Sequence, residues 1–135
     1  MDPYRVLELL HDAECTNIRF DLADIARRRV ELSIRMSRAC DDPTYAGAAL
    51  LLRFVGVAVA SCFGAYYCAS AEIVHGWSWS VSPAFEMRLQ DLVRAGIRCG
   101  GLLGTLQMHT GSTLELSFDR CEVALEPGIT GIAAE

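Results

Sequence analysis

An α+β fold built on an antiparallel sheet is what this sequence predicts, and three observations carry the prediction. Two runs, Val30-Glu31-Leu32-Ser33-Ile34-Arg35-Met36-Ser37 and Thr113-Leu114-Glu115-Leu116-Ser117-Phe118-Asp119, alternate strictly between apolar and polar residues. Successive side chains of a strand point to opposite faces, so each run describes a ribbon with one side for a core and one for water. The third observation is a helix bracketed by Ser82-Pro83 and Gly96, with Phe85, Leu89, Leu92 and Val93 on one stripe. Serine caps the free N–H groups, proline suits the first turn and glycine supplies a left-handed stop. The expected architecture is a mainly antiparallel β-sheet or half-barrel of roughly five to seven strands, with one packed helix over about 83–95 and a short N-terminal helix.

The remaining elements follow in chain order. Asp2 followed by Pro3 is an N-cap signal, and Val6, Leu7 and Leu10 recur at helical spacing, which predicts a helix over 3–11. The period then changes: Thr16, Ile18 and Phe20 alternate with Cys15, Asn17 and Arg19, giving a first strand over 14–20 that forms a hairpin with the ribbon starting near Arg29. Cys40-Asp41-Asp42-Pro43-Thr44 is a polar break. The apolar stretch 50–55 reads as a central strand, while 57–67 is compatible with a strand, a bulged continuation or a loop. A further strand is expected over 69–80, placing Trp77, Trp79 and Val81 on one face together with His75. Gly100, Gly101 and Gly104 read as a turn or bulge ahead of a hairpin formed by 102–109 and 112–118. An edge strand over 121–125 and a flexible tail over 127–135 complete a single domain spanning 1–135.

The chain has 135 residues, 52% of them hydrophobic and 21% charged, a composition that excludes disorder and suffices for one core. All 12 basic residues are Arg, they are scattered, and the net charge is −5. General phosphate-backbone binding needs a concentrated cationic surface, so no direct nucleic-acid partner is expected; a basic protein partner suits this balance better. The six cysteines, Cys15, Cys40, Cys62, Cys68, Cys99 and Cys121, form no C-x-x-C pair, and the N-terminal residues lack the features of a secretory signal. Reduced, mostly buried thiols in the cytoplasm are the expectation. The uncharged segment 54–71 approaches membrane-spanning length, but Gly56, Ser61, Gly64 and Ser70 within it favour buried strands over a span.

Candidate chemistry is sparse. His11, His75 and His109 are far apart and show no metal-ligand spacing, so structural histidines are expected, with no catalytic residues, metal or cofactor; a site assembled in space from histidines and cysteines is the competing reading. The candidate partner-binding residues are the carboxylates Asp41, Asp42, Asp119 and Glu122 and the tryptophans Trp77 and Trp79. Loop carboxylates are normally solvated and steer basic partners, whereas paired tryptophans serve either a core or an interface.

Read together, Leu10-His11-Asp12-Ala13-Glu14 leading into Ile18-Arg19-Phe20-Asp21, the alternation over 30–36, Leu52-Arg53-Phe54-Val55-Gly56-Val57 and Met108-His109-Thr110-Gly111-Ser112-Thr113-Leu114-Glu115-Leu116 resemble the small sheet-rich immunity proteins of bacterial polymorphic toxin systems. The resemblance implies stoichiometric, non-catalytic neutralisation of a cognate toxin domain, such as a basic nuclease. The unusually apolar middle of the chain adds a homo-oligomeric contact as a reading of 57–67. Two alternatives stand beside it: a small-ligand-binding β domain with a pocket near the tryptophans, and an enzyme with a spatially assembled Cys/His site.

Overall fold

The computed structural model describes residues 1–23, 28–63 and 72–126. The expected tail over 127–135, and parts of the stretches 57–67 and 69–80, lie outside the described residues. Two helices and eight strands follow in the order α1 (Pro3–Glu8), β1 (Glu14–Asp21), β2 (Arg29–Arg35), β3 (Ala49–Val55), β4 (Val59–Phe63), β5 (Glu72–Ser78), α2 (Pro83–Arg94), β6 (Leu102–Met108), β7 (Thr113–Phe118) and β8 (Arg120–Leu125). Every ladder is antiparallel, and the spatial order is β4-β7-β6-β5-β1-β2-β3-β8. The α+β sheet with a packed helix and a short N-terminal helix is therefore observed. It has eight strands because the stretch 57–67, left open between strand and loop, contains β4, and the terminal edge strand β8 forms as well.

The sheet consists of two four-stranded halves. β1, β2, β3 and β8 form one, and β4, β7, β6 and β5 the other. Between them β1 and β5 share only two residue pairs, Glu14↔Ile73 and Cys15↔Glu72. The halves face each other across one core containing Leu32, Ile34, Leu52, Phe54, Leu106, Leu114, Leu116 and Phe118. Helix α1 touches both β5 and β8 and adds Val6 and Leu7 to that core. It is shorter than the apolar spacing suggests: the chain leaves the helix at Leu9, and Leu10 reaches the core from the following turn.

Helix α2 lies outside this core. Phe85 and Leu89 form a separate cluster with Ala58, Val81, Leu92, Cys99 and Leu103, rather than joining Leu32, Ile34 and Phe118. The pleat explains the division, because Gly104, Leu106 and Met108 of β6 point inward and Leu103 points to the helix. Gly104 belongs to neither a turn nor a bulge. It lies within β6, and a Cβ there would run into the Trp77 ring, so its missing side chain lets the indole lie against the strand.

The β5 register shifts between Val74 and Gly76. Val74 and Trp77 consequently both pack toward the core, and His75 is exposed. The expected common face for His75 and Trp77 is thus broken by the bulge, which adds one residue to the period.

Candidate functional site

Two clusters of side chains come together around α1 and the turn after it. The first is aromatic. Asp2 caps α1 by accepting from the Tyr4 N–H at 3.0 Å, and burial of Val6 and Leu7 leaves Tyr4, Arg5 and Glu8 outward. The Tyr4 ring lies 6.0 Å from that of Trp79, and its hydroxyl accepts from the Cys121 N–H at 3.3 Å. Trp79 meets Trp77 edge-on at 5.4 Å, and Trp77 stacks on Phe54 at 5.4 Å. A column of rings therefore runs from the core to the surface, ending on Trp79, 46% exposed, and Tyr4, 36% exposed.

The nominated carboxylates do not form one patch. Asp42 is half-buried in its turn, accepts from the Thr44 N–H at 3.0 Å and lies 3.9 Å from Arg5 of α1; Asp41 beside it is exposed. Glu122 stands opposite Arg53 in the β3–β8 register and pairs with Arg53 at 3.7 Å and Arg120 at 3.4 Å. The same Arg53 donates to the buried Glu31 at 2.9 Å, so Glu122 belongs to a cross-strand charge ladder. Asp119 lies 3.8 Å from Arg98 at a cleft of about 480 Å³ shared with Arg28 and Gly56. Trp77, Trp79 and, through Arg5, Asp42 are brought toward one region, whereas Glu122 serves the sheet.

The second cluster was not marked by the sequence. His11 and Asp12 occupy the turn after α1, His75 the β5 bulge and His109 the β6–β7 hairpin, and a ring nitrogen from each histidine lies within 4.8 Å of the others. Backbone bonds fix the three segments: Asp12 N–H to Val74 O at 2.9 Å, Val74 N–H to Ala13 O at 2.8 Å, and His109 N–H to Ile73 O at 2.9 Å. The hairpin is tied again where the Thr110 hydroxyl donates to Glu72 at 2.8 Å. Asp12 has φ 64°, a left-handed conformation that Asp adopts more readily than most residues, and it turns the chain sharply between α1 and β1. The signal that would have found this site is the pairing of the turn after α1 with β5, which residue spacing does not encode.

Among the described residues no cysteine joins the histidines in that cluster. Among the described cysteines Cys15, Cys40, Cys99 and Cys121 are free thiols. Burial pushes the Cys15 thiol up to about 11 and the Cys121 thiol up to about 12, which suits inert packing residues more than nucleophiles. An open groove of about 500 Å³ runs along β5, β6 and β7 and is lined mostly by polar residues such as Ser78, Ser80, Thr105 and Gln107. Among the described residues no helix is long and apolar enough to cross a membrane. No protein-family model, curated protein or solved structure matches the chain.

Proposed function

We propose that this chain is a non-catalytic binding protein that neutralises a cognate bacterial toxin domain in the cytoplasm, with the Trp79–Tyr4 face as its capturing surface. The observation that supports this reading is the exposed ring pair itself, held in place from below by Trp77 and Phe54. A large aromatic surface that is already ordered loses little entropy on binding, and tryptophan and tyrosine dominate interface hot spots for that reason. Net charge −5, with Asp42 beside Arg5 of α1 and the exposed Asp41 next to it in the chain, suits a basic partner such as a nuclease domain.

The test is co-expression with the gene product encoded beside this chain. A one-to-one complex and rescue of cells making that product are expected. Trp79→Ala should weaken the complex by at least about 2 kcal/mol, roughly thirtyfold in Kd, while leaving the melting temperature nearly unchanged because the ring is half exposed. Changing Asp41 and Asp42 together to Asn should slow association and flatten its salt dependence. Absence of a complex and of rescue, with turnover of a small substrate by the isolated chain, defeats the proposal in favour of an enzyme.

A further inference from the structure

We infer that His11, His75 and His109, completed by Asp12, form a binding site for a divalent transition-metal ion of the zinc type. Three separate segments deliver the imidazoles to one point, and backbone hydrogen bonds hold those segments independently of the rings. The ring centroids lie 5.3 to 6.0 Å apart with interplanar angles of 64° to 79°. The rings thus meet edge to face and none stacks flat on another. A nitrogen from each ring lies within 4.8 Å of the other two.

The hydrogen bonds around the cluster define the chemistry further. His11 Nδ1 lies 2.8 Å from the His75 carbonyl oxygen, which can only accept, so Nδ1 carries hydrogen. In the neutral ring Nε2 then holds the lone pair, and it faces Asp12 Oδ2 at 3.4 Å. A lone pair opposite a carboxylate oxygen calls for a cation between or beside them. A proton satisfies one such pair, but it gives no reason for a second and third imidazole to converge on the same place. Asp12 Oδ1 also lies 3.0 Å from His109 Nε2; a carboxylate oxygen only accepts, so this nitrogen carries hydrogen in the metal-free protein, a proton that an incoming ion would displace. Neighbouring ligands on a tetrahedral ion with bonds of about 2.0–2.1 Å are about 3.3 Å apart, so Asp12 already stands at ligand spacing from two of the rings. The wider gaps, up to 4.8 Å, lie between exposed side chains. A backbone carbonyl on the remote nitrogen of His11 is the outer contact that fixes the tautomer of metal-bound histidine.

Three imidazoles and one carboxylate select among metals. Hard ions such as Mg²⁺ and Ca²⁺ prefer all-oxygen sets, and Cu⁺ prefers thiolates or thioethers; Zn²⁺, with Cu²⁺, Ni²⁺ and Co²⁺ as competitors, matches this donor set. The position suggests what the ion does. Asp12 and Ala13 directly precede β1 and bond to Val74 beside the two-pair ladder between β1 and β5, the narrowest connection in the sheet. A bound ion would join the turn after α1, β5 and the β6–β7 hairpin across that connection, acting as a clamp on the fold.

Untagged, metal-free protein titrated with zinc chloride tests this. Isothermal titration should give one Zn²⁺ per chain with a Kd in the micromolar range or tighter. Because the chain has three histidines in all, ring ¹⁵N NMR should show all three shifting on zinc addition, with no variant needed. His75→Gln and His109→Gln should each weaken binding at least tenfold, and the pair should abolish it. These exposed side chains should leave the metal-free melting temperature unchanged. Co²⁺ should give the visible absorption of a tetrahedral ion without thiolate charge-transfer bands. Zinc should raise the melting temperature of the parent but not of the double variant. Lack of binding at 100-fold excess over protein, histidine signals that do not move, or equal binding by the double variant would overturn the assignment.

Discussion

Cys15 and Cys121 occupy strands β1 and β8, and both are almost wholly buried. Desolvation disfavours the thiolate, raising Cys15 from the ordinary thiol value near 9 to about 11 and Cys121 to about 12. In the unfolded chain both ionise near 9. Each contributes stability fully present below pH 9, and that contribution falls as pH rises from 9 toward 11 and 12 because the unfolded state loses its proton first. Alkylation at pH 7.5 followed by peptide mass mapping should therefore label the half-buried Cys40 and Cys99 first. Cys15 and Cys121 should react about a hundredfold or more slowly than an ordinary thiol from thiolate fraction alone, with burial slowing them further. Equal labelling of all four would show that β1 and β8 open readily. Burial of this kind was legible in the sequence, since a cysteine in an apolar strand usually packs as a small hydrophobe. The histidine cluster was not: His11 bonds to the carbonyl of a residue 64 positions away, and nothing in residue type or spacing encodes that approach.

At the scale of elements, local signals worked where one segment decides its own fate and failed where a neighbour does. Ser82, Pro83 and the apolar stripe specified α2, and the Ser82 hydroxyl indeed accepts from the Phe85 N–H at 3.3 Å. The helix's partner surface depends on Glu115 of β7, which is buried and receives the Ser82 N–H at 2.6 Å and the Ser82 hydroxyl at 3.1 Å. In the sequence Glu115 was merely the wetted side of an alternating strand; the helix laid over that side turns it into a buried anchor. Glu115→Ala leaves the Ser82 N–H without its acceptor and should cost about 1–3 kcal/mol. Glu115→Gln keeps an acceptor and should cost less. Urea melts measure the order, and hydrogen exchange should show faster opening of the first turn of α2 in the Ala variant. An Ala variant as stable as the parent would mean that the cap alone holds the helix. The β5 bulge illustrates the same limit, since a register shift at His75 depends on pairing with β6, and period-two reading across it assigns His75 the wrong face.

For the whole molecule, chain connectivity matters more than the two-pair ladder between the halves. The chain builds β1, β2 and β3 of one half, crosses through 56–58 to build all four strands of the other, and returns through Asp119 to add β8 beside β3. The return is anchored by the Asp119 N–H on Val55 O at 2.8 Å and the outward crossing by the Ala58 N–H on Ser117 O at 3.2 Å. Phe54 from one half meets Phe118 of the other at 4.9 Å, so neither half has a complete core of its own. An antiparallel sheet was readable from alternation; which strands share an edge was not, because strand order depends on these crossings. The arrangement predicts a single cooperative transition. Ile34, 2% exposed in β2, should cost several kcal/mol as Ile34→Asp through an unpaired buried charge. That loss should appear equally in far-ultraviolet dichroism, which reports the whole sheet, and in tryptophan fluorescence, which reports Trp77 on β5 and Trp79 just beyond it in the opposite half. If fluorescence kept the parent's midpoint while dichroism shifted, the second half would be folding on its own, and the shared core would not be what joins them.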